Sequence, residues 1–528
     1  MPEFRIARAY EQRLAALVNS GASSAVKGGR KGVEKESLRV SPDGRISQRP
    51  HPRALGSALT SEHITNDYSE ALIELVTPTF TTSWELLQYL TDLHQFVYRH
   101  LGDELLWATS MPCVLGGDAS IPIANFGTSN VGRMKSVYRY GLGLRYGRMM
   151  QAISGVHFNY SFPAPFWPVL ADLLKSRASD QPFVSEQYFA LLRNYRRHGW
   201  IVHYLFGTSP AVCESFVAGR SDHGLEIWGQ GTLYGRYATS LRMSDLGYRN
   251  KNQAGLAVSV NGLDEYVRDL TRAISTPSPE FARLGVEVDG EWRQLNANVL
   301  QIENEYYAFI RPKRVAHSGE RPTKALRRAG VEYVEMRSLD VSAFDPVGVN
   351  QNKLRFLEAF AAFCVLAPSP PIAPAEQTEL DANHATVARR GREPDLKLSF
   401  GGRPVDLQTW AGEILGAMAG PCEFLDAGNQ ERSYAAALAV QRQKLLDVET
   451  TPSARLLNEM RTTGESFFRL ARRISMEHKE YFLELDAPNE ARMREFEADA
   501  AESLAAQSAL EVKAQPSFSD YLHAYFAQ

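Results

Sequence analysis

Residues 32–40 read GVEKESLRV, with two acids two positions apart in a run that otherwise reads as a strand. In an extended strand alternate side chains share a face, so Glu34, Glu36, Leu38 and Val40 point one way and Val33, Lys35, Ser37 and Arg39 the other. Neighbouring same-face positions lie about 6.6 Å apart, and two unpaired carboxylates there repel by roughly 2.5 kcal/mol at an effective dielectric of ~20. Such a strand fits into a sheet only where something cationic meets that face. One pair alone more often marks a solvated strand face opposite Lys or Arg.

The pattern repeats. Residues 65–78, TNDYSEALIELVTP, read as a strand with Glu70, Leu72 and Glu74 on one face. Asp67 has the other parity and reaches that face only from a turn or bulge. Residues 330–340, GVEYVEMRSLD, put Tyr333, Glu335 and Arg337 together. Residues 151–163, QAISGVHFNYSFP, put Gly155, His157, Asn159 and Ser161 on one face and Val156, Phe158, Tyr160 and Phe162 on the other. One polar face and one apolar face describe a sheet that covers a core and lines a wet cleft.

Apolar spacing predicts helices at the N-terminus and over residues 84–100, 185–205 and 262–275, with a mostly helical chain from residue 350 onward. Residues 116–147 read as a Gly-rich loop carrying Arg133, Lys135, Tyr138 and Arg139, and residues 239–253 as a polar loop carrying Arg242 and Tyr248. A strand pair is expected around residues 292–311, a stretch that includes Tyr307 and Arg311. The whole reads as one catalytic domain over residues 1–528, sheet-rich at about 28–345 and helical at about 350–528.

A net charge of -3, from 58 Lys plus Arg and 61 Asp plus Glu, leaves no global field to draw nucleic acid or a membrane surface. Cys113, Cys213, Cys364 and Cys422 are far apart and form no CxxC, so they are expected as free thiols in a reducing cytosol.

Several carboxylates and one imidazole suit Mg2+ or Mn2+ better than zinc. The metals would neutralise the crowded acids while Arg242, Arg311 and Arg337 face a polyphosphate. No GxxxxGK[ST] loop is present, so an ATP site here would hold its phosphates through metals and arginines. Taken singly, His157 could equally be a core histidine and Glu335–Arg337 a cross-strand ion pair.

Five motifs in this order, GVEKESLRV, TNDYSEALIELVTP, ISGVHFNYSFP, SLRMSDLGYRNK and GVEYVEMRSLD, resemble the single-function bacterial glutamate-cysteine ligases. The resemblance implies an α+β fold similar to glutamine synthetase, a curved, mainly antiparallel sheet forming a funnel with helices outside. It implies ATP-dependent ligation of the L-glutamate γ-carboxylate to the L-cysteine α-amine through γ-glutamyl phosphate, opening glutathione biosynthesis. By position, Glu34, Glu36, Asp67, Glu74, His157 and Glu335 look like Mg2+ ligands, and Arg337 like the residue that steadies the phosphoryl group. Asn159 and Arg242 look placed for glutamate, and Tyr68, Tyr138, Tyr248 and Tyr307 for cysteine. The family often has Phe where Tyr68 stands, and Arg where Lys35 stands, a swap expected to be harmless. A cytoplasmic monomer with small-molecule substrates and glutathione feedback is implied too. The alternatives are a γ-glutamyl ligase for another amine, a metal-dependent phosphoesterase, and a binding protein without turnover.

Overall fold

The computed structural model describes residues 8–247, 256–485 and 489–528. Its main sheet has seven strands: β1 (Arg30–Val40), β2 (Ile64–Asn66), β3 (Leu72–Val76), β4 (Leu105–Leu106), β5 (Gly155–Ser161), β6 (Ile310–Lys313) and β7 (Tyr333–Asp340). They run in the order β6-β7-β5-β1-β3-β2, with β4 pairing the far end of β1. Every pairing is antiparallel.

Register brings the acids together. Glu36 stands opposite Glu74, Glu34 opposite His157, and Glu335 opposite Asn159 and Arg311. Between Met336 and Leu339 the pairing with β5 slips, so Arg337 and Ser338 both stand opposite His157. A bulge of this kind re-aims the side chain it carries.

The other face of the sheet is dry. Val33, Ile73, Val156, Phe158, Val334 and Met336 are buried in one continuous core. Complete burial of a side chain such as Val156 or Phe158 contributes about 1.5–3 kcal/mol. Packed beneath are α1 (Ser83–His100) and α4 (Gln351–Leu366), with α2 (Asn130–Tyr146) and α3 (Gln181–His198) between them in the chain. Thr82 starts α1 by accepting from Glu85 N.

Beyond residue 350 the elements among the described residues are helices, apart from the hairpin Lys397–Phe400 and Arg403–Asp406. A buried ion pair ties it to the sheet: Lys31 Nζ of β1 is 2.7 Å from Glu358 Oε2 of α4, which also accepts from the Tyr434 hydroxyl. Among the described residues no helix is long and apolar enough to cross a membrane.

Four expectations need correction. Residues 116–147 are not all loop, because Asn130–Tyr146 is a helix capped by Ser129. Its apolar residues lack helical spacing because it turns polar side chains toward a cavity. Residues 65–78 are two strands, β2 and β3, joined by a turn in which Asp67 N donates to Leu72 O. The helix expected at 185–205 breaks at Gly199 into α3 and Trp200–Phe206. Of the strand pair expected at 292–311, the main sheet receives only β6; Glu287–Val288 and Glu291–Trp292 form a separate small hairpin.

Two side-chain readings also change. Cys113 and Cys213 form a disulfide across 100 residues, while Cys364 and Cys422 are free and buried. Spacing gives no hint of a pair that only the fold makes adjacent. Lys35 does face away from the acids, but it is buried, with Nζ 3.1 Å from His94 Nε2 of α1.

Candidate active site

Glu34, Glu74 and His157 lie on three adjacent strands, and each offers a ligand atom within 4.8 Å of the others. His157 Nδ1 is 3.1 Å from Glu34 Oε2 and 3.8 Å from Glu335 Oε1, and its Nε2 is 3.5 Å from Glu36 Oε1. One imidazole thus sits at the centre of three carboxylates. Asn159 Nδ2 donates to Glu34 Oε1 at 2.9 Å, and Gly155 N donates to Glu36 Oε2 at 2.6 Å. Arg337 Nη1 donates to Glu335 Oε1 at 2.9 Å, with Lys313 Nζ 3.6 Å from the same oxygen.

The electrostatics divide these acids into two classes. Burial and Asp67 push Glu36 up to about 8, against the opposing charges of Arg242 and Arg337. Burial together with Glu34, Asp67 and Glu36 holds Glu74 well above the usual carboxylate range. Burial also opposes ionisation of Glu335, yet Arg337, Lys313 and His157 hold it well below that range. Burial and Arg337 push His157 below the usual histidine value, favouring the neutral imidazole that a metal requires. Without added cations the basin therefore carries more acids than it can ionise.

A cavity of 120 Å3 opens from this basin and is lined by Glu36, Asp67, Tyr68, Tyr138, Tyr307 and Arg337. Asp67 reaches it from the β2–β3 turn, where Arg139 of α2 holds its backbone carbonyl. The buried Tyr68 hydroxyl has no hydrogen-bond partner among the described residues, and a Cβ on Gly143 of α2 would come within 2.5 Å of it. That glycine lets the helix approach the ring. A wider cavity of 810 Å3 adjoins at Tyr307 and is lined by none of the basin acids.

Arg242 is fully buried, with Nη2 donating to the Arg337 carbonyl at 3.1 Å. Its guanidinium crosses Gly155 so closely that a Cβ there would lie 2.0 Å from Nη2. Arg311 donates to the carbonyls of Asn304 and Tyr306. Tyr248 lies outside the described residues.

Glu70, expected beside Glu74, instead accepts from His51 N and Asn125 N and ties loops together. Sequence reasoning missed Gln151, Asn304 and Met150 in the cavity wall and Lys313 at the basin. Gly143 signals only the close approach of α2 to Tyr68 and marks none of these four.

The glutamate-cysteine ligase family profile matches residues 14–387. The chain is 48% identical to the glutamate-cysteine ligase of Alcanivorax borkumensis over 524 residues, 98% of this chain and 99% of that protein. It is also 48% identical to that of Pseudomonas aeruginosa strain PAO1 over 496 residues, 94% of each. The crystal structure of glutamate-cysteine ligase from Francisella tularensis in complex with AMP superposes with a TM-score of 0.89 at 35% identity, covering 95% of this chain and 98% of that one. A bifunctional glutathione synthetase from Pasteurella multocida shares the fold, with a TM-score of 0.71 at 22% identity over 90% of this chain and 55% of that one. With most of its length inside the family profile and near-complete relatives at almost half identity, this chain belongs to the glutamate-cysteine ligase family.

Proposed function

We propose that the strand acids hold Mg2+ and that the tyrosine-lined cavity beside them receives the amino acids. The family's reaction is the ATP-dependent joining of L-glutamate, through its γ-carboxylate, to the α-amine of L-cysteine, giving γ-glutamylcysteine, ADP and phosphate at the start of glutathione biosynthesis. The observation that carries the assignment of this reaction to the basin is that Glu34, Glu36, Glu74, His157, Glu335 and Arg337 share one sheet face next to that cavity.

The donor set fits Mg2+, with Mn2+ as a substitute. It is rich in carboxylate oxygen and has one neutral imidazole; the buried Glu335 Oε2 has no hydrogen-bond partner among the described residues, and burial with the neighbouring acids holds Glu74 well above the usual carboxylate range. Glu34, Glu36, Asp67, Glu74, His157 and Glu335 are the proposed ligands. Bound there, the metal ions would draw charge from the ATP phosphates and lower the repulsion a carboxylate meets on approaching them.

Carboxylate carbon resists an amine because oxide is a poor leaving group. One oxygen of the glutamate γ-carboxylate therefore attacks the γ-phosphorus of ATP, the bond to the ADP oxygen breaks, and an acyl phosphate forms. Arg337, whose buried Nε has no hydrogen-bond partner among the described residues, supplies a planar cation beside the phosphoryl group in flight. The cysteine amine then attacks the acyl carbon and phosphate leaves with the former carboxylate oxygen.

Arg242 and Asn159 are assigned to glutamate, and Tyr68, Tyr138, Tyr248 and Tyr307 to cysteine. Segments 116–147 and 239–253, of which residues 248–253 lie outside the described residues, are assigned to shielding the acyl phosphate from water. Because the helices after residue 350 are pinned to the sheet through Glu358, the chain works as one catalytic unit. The reading places it in the cytoplasm as a monomer, without nucleic-acid or membrane partners, and subject to feedback by glutathione, which contains its product.

The test is a Mg2+-dependent ADP-release assay with glutamate, with and without cysteine, followed by mass analysis of the product. Absence of γ-glutamylcysteine, or turnover only with another amine, would contradict the assignment.

A further inference from the structure

Asp340 closes β7 and takes no part in the mechanism above, yet it is a fully buried carboxylate ringed by donors. Its Oδ2 accepts from Thr208 N at 2.8 Å and from the Ser209 hydroxyl at 2.7 Å, and its Oδ1 accepts from the Ser240 hydroxyl at 2.8 Å. Hydrogen bonds to a buried charge are strong, so this acid fixes whatever its partners carry.

Both hydroxyls pass the contact on. Ser209 Oγ accepts from Arg242 N and Ser240 Oγ from Met243 N, each at 3.3 Å. Ser240 thereby caps the short turn Leu241–Met243, while Leu241 N donates to Ser209 O at 2.8 Å. Arg242 is the middle residue of that turn, so two serines fix its backbone to one carboxylate. Its side chain meets the same group. Arg242 Nη1 is 3.9 Å from Asp340 Oδ1, beyond hydrogen-bond reach, and Nη2 donates to the Arg337 carbonyl of the same strand at 3.1 Å. Asp340 also stands opposite Gly155 in the sheet, the position whose lack of a side chain lets the guanidinium cross. From there the charge of Arg242 acts on Glu36 and on the Tyr307 hydroxyl, both residues of the cavity wall.

We propose that Asp340 is a positioning residue that aims the Arg242 guanidinium at glutamate, acting through Ser209, Ser240 and the direct charge contact. This rests on the reading above that Arg242 holds glutamate, and it adds the residue that decides where that guanidinium stands.

The experiment measures kcat, KM for glutamate and KM for ATP in Mg2+ on the full-length enzyme and on Asp340→Asn, Ser240→Ala, Arg242→Met and the double variant Asp340→Asn with Arg242→Met. Asp340→Asn should raise KM for glutamate about tenfold or more, with KM for ATP within about twofold of wild type. Ser240→Ala removes one bridge and keeps the carboxylate; it should raise KM for glutamate about threefold, and it carries the test if Asp340→Asn does not fold. The double variant should be no worse for glutamate than Arg242→Met, since Asp340 acts only through Arg242. A merely structural role would lower Tm and kcat and leave both KM values as in the wild type. That result, a parallel rise in both KM values, or losses that multiply in the double variant overturns the proposal. If Arg242→Met itself leaves KM for glutamate unchanged, the assignment of Arg242 falls and the proposal with it; if only Arg242→Met raises that KM, the positioning role alone falls.

Discussion

Arg337 donates a 2.9 Å hydrogen bond to Glu335, two residues earlier on the same face of β7. The bulge that follows sets Arg337 and Ser338 together opposite His157. One strand thus delivers a carboxylate for metal and a cation for phosphate to adjoining positions. The pair also protects each partner's charge: Glu335 keeps Arg337 charged against its burial, and Arg337 does the same for Glu335.

Arg337→Lys should therefore lower kcat by about a hundredfold while changing glutamate affinity little, because a lysine cannot contact Glu335 and the phosphoryl group with one planar fork. Steady-state kinetics and glutamate binding check this. Equal losses in both would mean that Arg337 only binds substrate.

Glu36 makes a pH prediction. Without Mg2+ the folded protein keeps a proton on Glu36 up to about 8, whereas the unfolded chain releases it near the usual 4.5. Between those values the folded state binds more protons, so this group makes the wild type less stable as pH rises. Glu36→Gln removes that loss and can still accept from Gly155 N. In chelator, the Tm of Glu36→Gln minus that of the wild type should grow as pH rises from about 4.5 to about 8, then level off. Saturating Mg2+ should raise the wild-type Tm more than the variant's. A difference independent of pH would contradict the account.

The Cys113–Cys213 bond closes a loop of 100 residues. By loop-closure entropy it stabilises the chain by at most about 4–5 kcal/mol, and neither sulfur belongs to the basin. Cys113→Ser should lower Tm by several degrees with kcat within about twofold of wild type. An unchanged Tm in non-reducing buffer would contradict this role.

Much of the sheet was legible because its two faces differ so sharply. Period-two alternation located β1, β5 and β7 to within about four residues at their ends, and the repeated acids announced a common wet face. The β2–β3 turn was signalled only by the parity of Asp67, since Glu70 fits an extended reading, and the Asp67–Leu72 hydrogen bond separates turn from strand. Helix α2 was hidden for the opposite reason: Tyr138, Arg139 and Tyr146 serve a cavity instead of a core, which erases the apolar stripe that marks other helices. Lys313 lies in RPKR, a run that reads as surface charge until β6 proves to be the edge of the acid sheet. Strand order, which decides who faces whom, is a long-range property that no local pattern records.

The central claim is that the glutamate γ-carboxylate is phosphorylated before the amine attacks. Turnover of glutamate labelled with oxygen-18 in the γ-carboxylate, with mass analysis of the released phosphate, tests it directly. The account predicts one labelled oxygen in the phosphate per γ-glutamylcysteine formed. Unlabelled phosphate accompanying that product would contradict it.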